Sequence, residues 1–205
     1  GLSQAPELII NKSLTDSQGW AVQSSIWVNP SDTNMLYLQS DAARADDTNV
    51  FQAAPTATVF SPQGGAWPGI GFSAYDYIAY CFHSIEGYSK VGTYVGNGAS
   101  NAGPFIYLGF KPAYLLVKNT TGAQWWMNFD NKRNTYNPIT YEGYPNSAVA
   151  EGNNIGATNG PGTWDFVSNG IKNMRKAAED GTNTNGSVYL YYAVAESPFK
   201  TSNAG

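Results

Sequence analysis

Apolar positions in this chain fall in short runs separated by turn residues, not at the three-to-four spacing of an amphipathic helix. Residues 6–12 (PELIINK) read as a strand, 15–19 as a polar turn and 20–23 (WAVQ) as the returning strand of a hairpin. Ile26, Trp27 and Val28 are apolar, and Asn29-Pro30-Ser31-Asp32 stops them. Further strands are expected at 35–39, 56–60, 77–83, 87–95, 105–110, 112–118, 125–130, 163–168 and 188–195. Loops are expected at 41–49, at the Gly-rich 63–73 and at the long, Pro-, Gly- and Asn-rich 132–162. Residues 173–180 are the only stretch of helix formers, enough for a turn or two.

The run at 77–83 (YIAYCFH) is the most strand-like. Tyr77, Ala79, Cys81 and His83 share one face, and Ile78, Tyr80 and Phe82 the other. Both faces are apolar or aromatic, which predicts a central strand covered on both sides.

The pattern repeats. Pro6, Lys12 and Trp20 match Pro112, Lys118 and Trp126 at an offset of 106 (112 − 6). Ser61 matches Ser168 at 107 (168 − 61), and Tyr77 matches Tyr189 at 112 (189 − 77). Offsets that drift upward are what duplication followed by small insertions leaves. The expectation is one β-sandwich built from two related halves, 1–98 and 99–205, because each half has too few strands to bury both of its faces alone. Two separate small domains are the other outcome.

Composition agrees with an all-β chain. Of 205 residues, 13% are charged and 14% aromatic, and there are 22 glycines. The net charge of −4 argues against a nucleic-acid or anionic-membrane partner. A single Cys excludes an internal disulfide. No apolar run reaches the roughly 20 residues of a membrane helix, and the given residues are not expected to include a secretory leader. A chain beginning at Gly1 is expected to be the C-terminal part of a longer polypeptide.

Catalytic and metal chemistry find little material. One His and one Cys cannot build a zinc site, and Cys81 with His83 reads as two core side chains on a buried strand. No Gly-x-Ser-x-Gly elbow occurs. Glycoside hydrolysis needs two facing carboxylates. Glu86, Asp130, Glu151, Asp165 and Glu196 are the candidates, with Asp130 and Asp165 at strand ends that could meet in space. Asp41, Asp46 and Asp47 could hold Ca²⁺ but lack the spacing of an EF-hand loop, so a solvated loop is the reading and no cofactor is expected.

Binding is the better-supplied role. Trp67 and Tyr75 flank a Gly-rich loop, Trp125 and Trp126 are adjacent, and Tyr141 and Tyr144 lie in the long loop. Adjacent strand residues face opposite ways, so one of the two tryptophans is expected at a surface. With Asp130 and Arg133, these residues form the candidate glycan- or partner-binding set.

Residues 77–90 (YIAYCFHSIEGYSK), then 91–98 (VGTYVGNG), 103–112 (GPFIYLGFKP) and 195–200 (AESPFK) resemble a domain frequent in bacteriophage proteins, above all in phages of marine bacteria. There it forms the C-terminal part of tail fibres or other virion proteins, and it is a domain of unknown function. Asp130-Asn-Lys-Arg133 and residues 165–170 (DFVSNG) look like landmarks of the same family, whereas residues 14–47 match less clearly. The resemblance implies a concanavalin-like or jelly-roll sandwich and supplies no catalytic residues. The expected role is a non-enzymatic structural protein of the virion surface, a tail fibre or capsid-associated protein. It would assemble with copies of itself or other virion proteins and bind host surface glycan. A carbohydrate-active depolymerase on the same sandwich and a cellular adhesin or fibre subunit are the alternatives.

Overall fold

The computed structural model describes residues 2–26, 34–46, 51–62, 69–148, 150–153, 164–174 and 181–198. Among these the chain is all-β, with no helix, and its strands pair antiparallel throughout. It divides into two compact units, Gly1–His83 and Ser84–Gly205.

The first unit contains β1 (Leu8–Ser13), β2 (Ala21–Ser24), β3 (Asn34–Tyr37), β4 (Ala45–Asp46), β5 (Phe51–Ala53), β6 (Ser61–Pro62) and β7 (Tyr77–Phe82). Five of them form a sheet in the order β4-β3-β2-β1-β7, and β5 and β6 form a hairpin. Ala21, Met35, Phe51 and Ile70 make its apolar core, with Tyr37 and Phe60 packed against them.

The second unit contains β8 (Ser89–Val95), β9 (Phe105–Tyr107), β10 (Pro112–Asn119), β11 (Met127–Asp130), β12 (Tyr141–Glu142), β13 (Gly152–Asn153), β14 (Trp164–Val167), β15 (Gly170–Asn173) and β16 (Val188–Ala195). One sheet runs β11-β10-β16-β8 and another β14-β15-β9. Leu115, Val117, Phe129, Tyr189 and Tyr191 from the first of these share one buried cluster with Ile106, Trp164, Phe166 and Ile171 from the second. This unit is therefore a two-layer sandwich. Tyr94 organises its centre, stacked on Tyr189 at 4.8 Å and edge-on to Trp164 at 5.8 Å. The strand at 89–95, read from the sequence with the first half, pairs with β16 in the second unit.

The two units share a ladder. In the first, Leu8 opposes both Ser24 and Phe82, and Asn11 opposes Ala21 and Ala79. In the second, Tyr114 opposes Asp130 and Val194, and Val117 opposes Met127 and Tyr191. Every pair of β1 with β2 and β7 recurs at the offsets read from the sequence. The outer strands follow: Asn34 opposes Asp46 as Tyr141 opposes Asn153, 107 residues on (141 − 34). Local bonds recur as well. The Leu14 N–H donates to the Asp76 carbonyl as Thr120 donates to Val188, each at 2.8 Å. Thr15 Oγ1 accepts from the Asp76 N–H at 2.9 Å, and Thr121 Oγ1 from the Val188 N–H at 3.1 Å. The Trp20 N–H donates to Gln39 Oε1 at 2.7 Å, and the Trp126 N–H to Asn146 Oδ1 at 3.0 Å. The matched lysines explain themselves. Each stands near the end of its strand, and Nζ donates to a carbonyl of the following loop, Lys12 to Gln18 and Lys118 to Gln124, both at 2.7 Å. In so short a loop each ammonium satisfies a carbonyl that the strand ladder leaves unpaired.

Two expectations are corrected. The run at 77–83 is not a central strand: β7 pairs with β1 alone among the described residues, and Ile78 and Tyr80 are exposed. Residues 56–60 are not a strand. Thr56 Oγ1 accepts from the N–H groups of Thr58 and Val59, and the Thr56 N–H donates to the Val59 carbonyl, so a hydroxyl-capped turn outcompetes β propensity. The helix-forming stretch at 175–180, the strand at 27–28 and the end of the long loop at 154–163 lie outside the described residues.

Candidate functional site

The best-equipped surface lies on β11 and β12 of the second unit. Alternation along β11 sends Met127 and Phe129 into the core and turns Asn128 and Asp130 the other way. Beyond its pairing with β10, β11 bridges Asn128 to Gly143 through two backbone bonds of 2.9 Å, which draws residues 141–144 alongside. Trp125 and Tyr144 meet there edge-to-face, with ring centroids 4.9 Å apart. Trp125 is 39% exposed and Trp126 only 1%; both precede β11, and Trp126 is buried next to the buried Met127, so strand alternation does not set this pair. Trp126 therefore supplies no surface and belongs to the packing. The Tyr144 hydroxyl donates to the buried carboxylate of Glu142, two residues earlier on the same face, which fixes the ring.

Arg133 is the electrostatic hub. Its Nε is 2.6 Å from Asp130 Oδ2, and its own N–H donates to Asp130 Oδ1 at 2.8 Å. Nη1 lies 3.6 Å from Glu151. With the Asn128 amide oriented to satisfy both ends, Nδ2 donates to the Gly143 carbonyl at 2.9 Å and Oδ1 accepts from Arg133 Nη2 at 2.8 Å. A Cβ at Gly143 would lie 2.5 Å from the Asn128 side chain and 3.0 Å from Arg133, so this position has to be bare. Partial burial pushes the Asp130 carboxyl up, but the Arg133 and Lys132 N–H groups and the guanidinium outweigh it and hold the group below the usual carboxylate range. Burial raises the phenol of Tyr114, which opposes Asp130 on β10 and feels both Arg133 and Asp130.

The other candidates are dispersed. Tyr141 is half-buried, with its N–H donating to Asn134 Oδ1 at 2.6 Å. Tyr75 belongs to the first unit, against Phe72 at 5.3 Å. Trp67 lies outside the described residues. Asp130 and Asp165 do not face one another. Phe129 and the neighbours of Asp165, Trp164 and Phe166, all point into the core between the sheets, so the two carboxylates stand on opposite outer faces. Burial raises the Asp165 carboxyl. Glu86 is exposed, and Glu196 pairs with Lys111 at 2.8 Å. Burial pushes the Cys81 thiol up, toward the unreactive neutral form. Asp41 is exposed, and Asp47 lies outside the described residues. Among the described residues no three His, Cys, Asp or Glu side chains group closely enough to hold a metal ion.

Sequence reasoning missed Glu142, Gly143, Asn128 and Tyr114. The spacing of Glu142 and Tyr144 was a usable signal, since residues two apart on a strand share a face. The repeat shows how this surface differs from its counterpart. Gly19 stands where the second unit has Trp125, and any Cβ there would collide with the Gln39 side chain. Met35 stands in place of Glu142, and Tyr37 in place of Tyr144. The Trp125–Tyr144 pair therefore belongs to the second unit alone.

Fold and site together define an antiparallel β-sandwich protein with a Trp125–Tyr144 pair at the surface and, on the other face of β11, an Asp130–Arg133 cluster. The chain belongs to the family described as Domain of unknown function (DUF7483), whose profile matches residues 1–198. No match was found among curated proteins or among solved structures.

Proposed function

We propose that this chain is a non-enzymatic module of a bacteriophage virion surface protein, from a tail fibre or a capsid-associated protein, that binds host surface glycan through Trp125 and Tyr144. The virion assignment rests on the resemblance of residues 77–112 and 195–200. The glycan assignment rests on one observation: an exposed indole held edge-on by a tyrosine that a buried carboxylate orients. A pre-oriented aromatic face stacks on the C–H face of a sugar ring with little ordering cost. The depolymerase alternative draws less support. Asp130 is engaged by Arg133 and held ionised, which suits a structural or binding carboxylate and not a general acid.

A glycan array probed with the whole chain, followed by an assay for newly released reducing ends on every glycan that binds, tests this reading. Binding without release is expected, falling at least about tenfold in Trp125→Ala with an unchanged circular dichroism spectrum. Release of sugar ends that disappears in Asp130→Asn or Asp165→Asn would overturn it, as would undiminished binding by Trp125→Ala.

A further inference from the structure

The second unit holds a pocket that the aromatic pair does not enter, and we propose that it binds a single ring of a neutral sugar. The inference shares its ligand class with the reading above but no residue with the Trp125 surface. The pocket, about 170 Å³, lies in the loop between β11 and β12. Lys111, Asn134, Thr135 and Tyr136 wall it, and Ile139 and Phe166 contribute apolar lining.

The loop is built before any ligand arrives. Asn134 Oδ1 accepts from the N–H groups of Thr140 at 2.9 Å and Tyr141 at 2.6 Å. The Asn137 side-chain amide donates to the Phe166 carbonyl at 3.0 Å and accepts its N–H at 2.9 Å, imitating a strand pair. These bonds consume the groups that shape the loop and leave others unspent. Among the described residues, the amide nitrogen of Asn134 and the hydroxyls of Thr135 and Tyr136 have no hydrogen-bond partner. The Oδ1 of Asn131, another lining residue, is buried and accepts no bond. Unspent donors beside an unspent acceptor suit a ligand whose every hydroxyl is both.

Shape and charge narrow the class. Ile139 and Phe166 are almost wholly buried, so what they present to the pocket is a small apolar patch, fit for a ring's C–H face. Tyr136 is 71% exposed, which leaves its ring free to cover the ligand. The pocket's cation is already engaged: Lys111 Nζ is 2.8 Å from Glu196 Oε2, while Asn131 donates to Glu196 Oε1 at 2.7 Å. Among the described residues that line the pocket, no cation is left unpaired for an acidic sugar or a phosphate. Hydroxyl recognition over an apolar floor, without an ion pair, is the chemistry of a neutral pyranose.

The test is a ¹H–¹⁵N titration of the whole chain with the methyl glycosides of glucose, galactose, mannose, N-acetylglucosamine and glucuronic acid. Saturable shifts at the Lys111, Thr135 and Tyr136 amides are expected with at least one neutral glycoside, at a millimolar Kd typical of a single ring. Two variants report on the pocket without dismantling it. Tyr136→Ala alters an exposed ring. Asn134→Asp keeps an oxygen to hold the loop and replaces the free donor with a charged acceptor oxygen. Each is expected to weaken binding at least about tenfold, whereas Trp125→Ala leaves it unchanged. The glucuronide is expected to bind at least about fivefold more weakly than its neutral counterpart. No saturable shift with any neutral glycoside, shifts confined to Trp125 and Tyr144, loss of these shifts in Trp125→Ala, unaltered affinity in both pocket variants, or tighter binding of the glucuronide would each overturn the proposal. Failure of the Trp125 surface alone would leave the pocket shifts intact, so the two readings fail separately.

Discussion

The pairs that join β1 to β2 and β7 recur, residue for residue, where β10 joins β11 and β16. The side chains on them differ. Facing the core, the first unit has Asn11, Ser13 and Gln23, all buried, where the second has Val117, Asn119 and Phe129. Trp20 is partly exposed and lies over Tyr80 at 6.3 Å, whereas its counterpart Trp126 is buried. β7 is an edge strand, and β16, with the same place in the ladder, is covered on its far side by β8. Register thus survives on backbone pairing and a few turn residues, while the chemistry of the faces diverges. The unit whose ladder face is the more apolar also carries the second sheet and the Trp125–Tyr144 pair. A rigid apolar platform is what holds a binding ring in one orientation.

The largest test of that difference is the tryptophan pair. Trp126→Ala should cost about 3–5 kcal/mol by cavity formation, and Trp20→Ala about 1–2 kcal/mol, both read from urea unfolding. Equal costs would mean that burial does not distinguish the units. Next come the lysines. Lys118 is 0% exposed, and replacing it with Met keeps its stem but strands the Gln124 carbonyl, at about 1.5–3 kcal/mol. Lys12 is only partly buried, so water replaces its ammonium and Lys12→Met should cost under about 1 kcal/mol. The smallest effect has the opposite sign. The Oε1 of Gln23 is buried without a donor where the second unit has Phe129. Gln23→Met should stabilise by about 1 kcal/mol, and a loss of stability would mean that the amide has a partner.

Much of the ladder could be read directly from the chain. Pro6, Lys12, Trp20 and Tyr77 sit where the repeat predicts, because strand-end capping and hairpin geometry are local problems with local residue solutions. The turn at 56–60 was missed because Val59 and Phe60 look strand-like while one hydroxyl, on Thr56, satisfies the backbone instead. The site was legible only in its aromatics. Trp125 and Tyr144 stand out by type, but Glu142 and Gly143 matter through neighbours, Tyr144 in one case and Asn128 with Arg133 in the other. Those neighbours are set by the β11–β12 bridge, a contact that no single run of residues encodes.

By itself the sequence determined the all-β class and the offsets at which β1, β2 and β7 match β10, β11 and β16, because strand patterning and turn chemistry act over a few residues. Only the tertiary structure decided that the outward ring is Trp125, that Asp130 is spent on Arg133, and that β7 is an edge while β16 is a centre. Each of these depends on which strand arrives on the far side, and pairing across long stretches of chain is settled by the packing of the whole core rather than by any local preference.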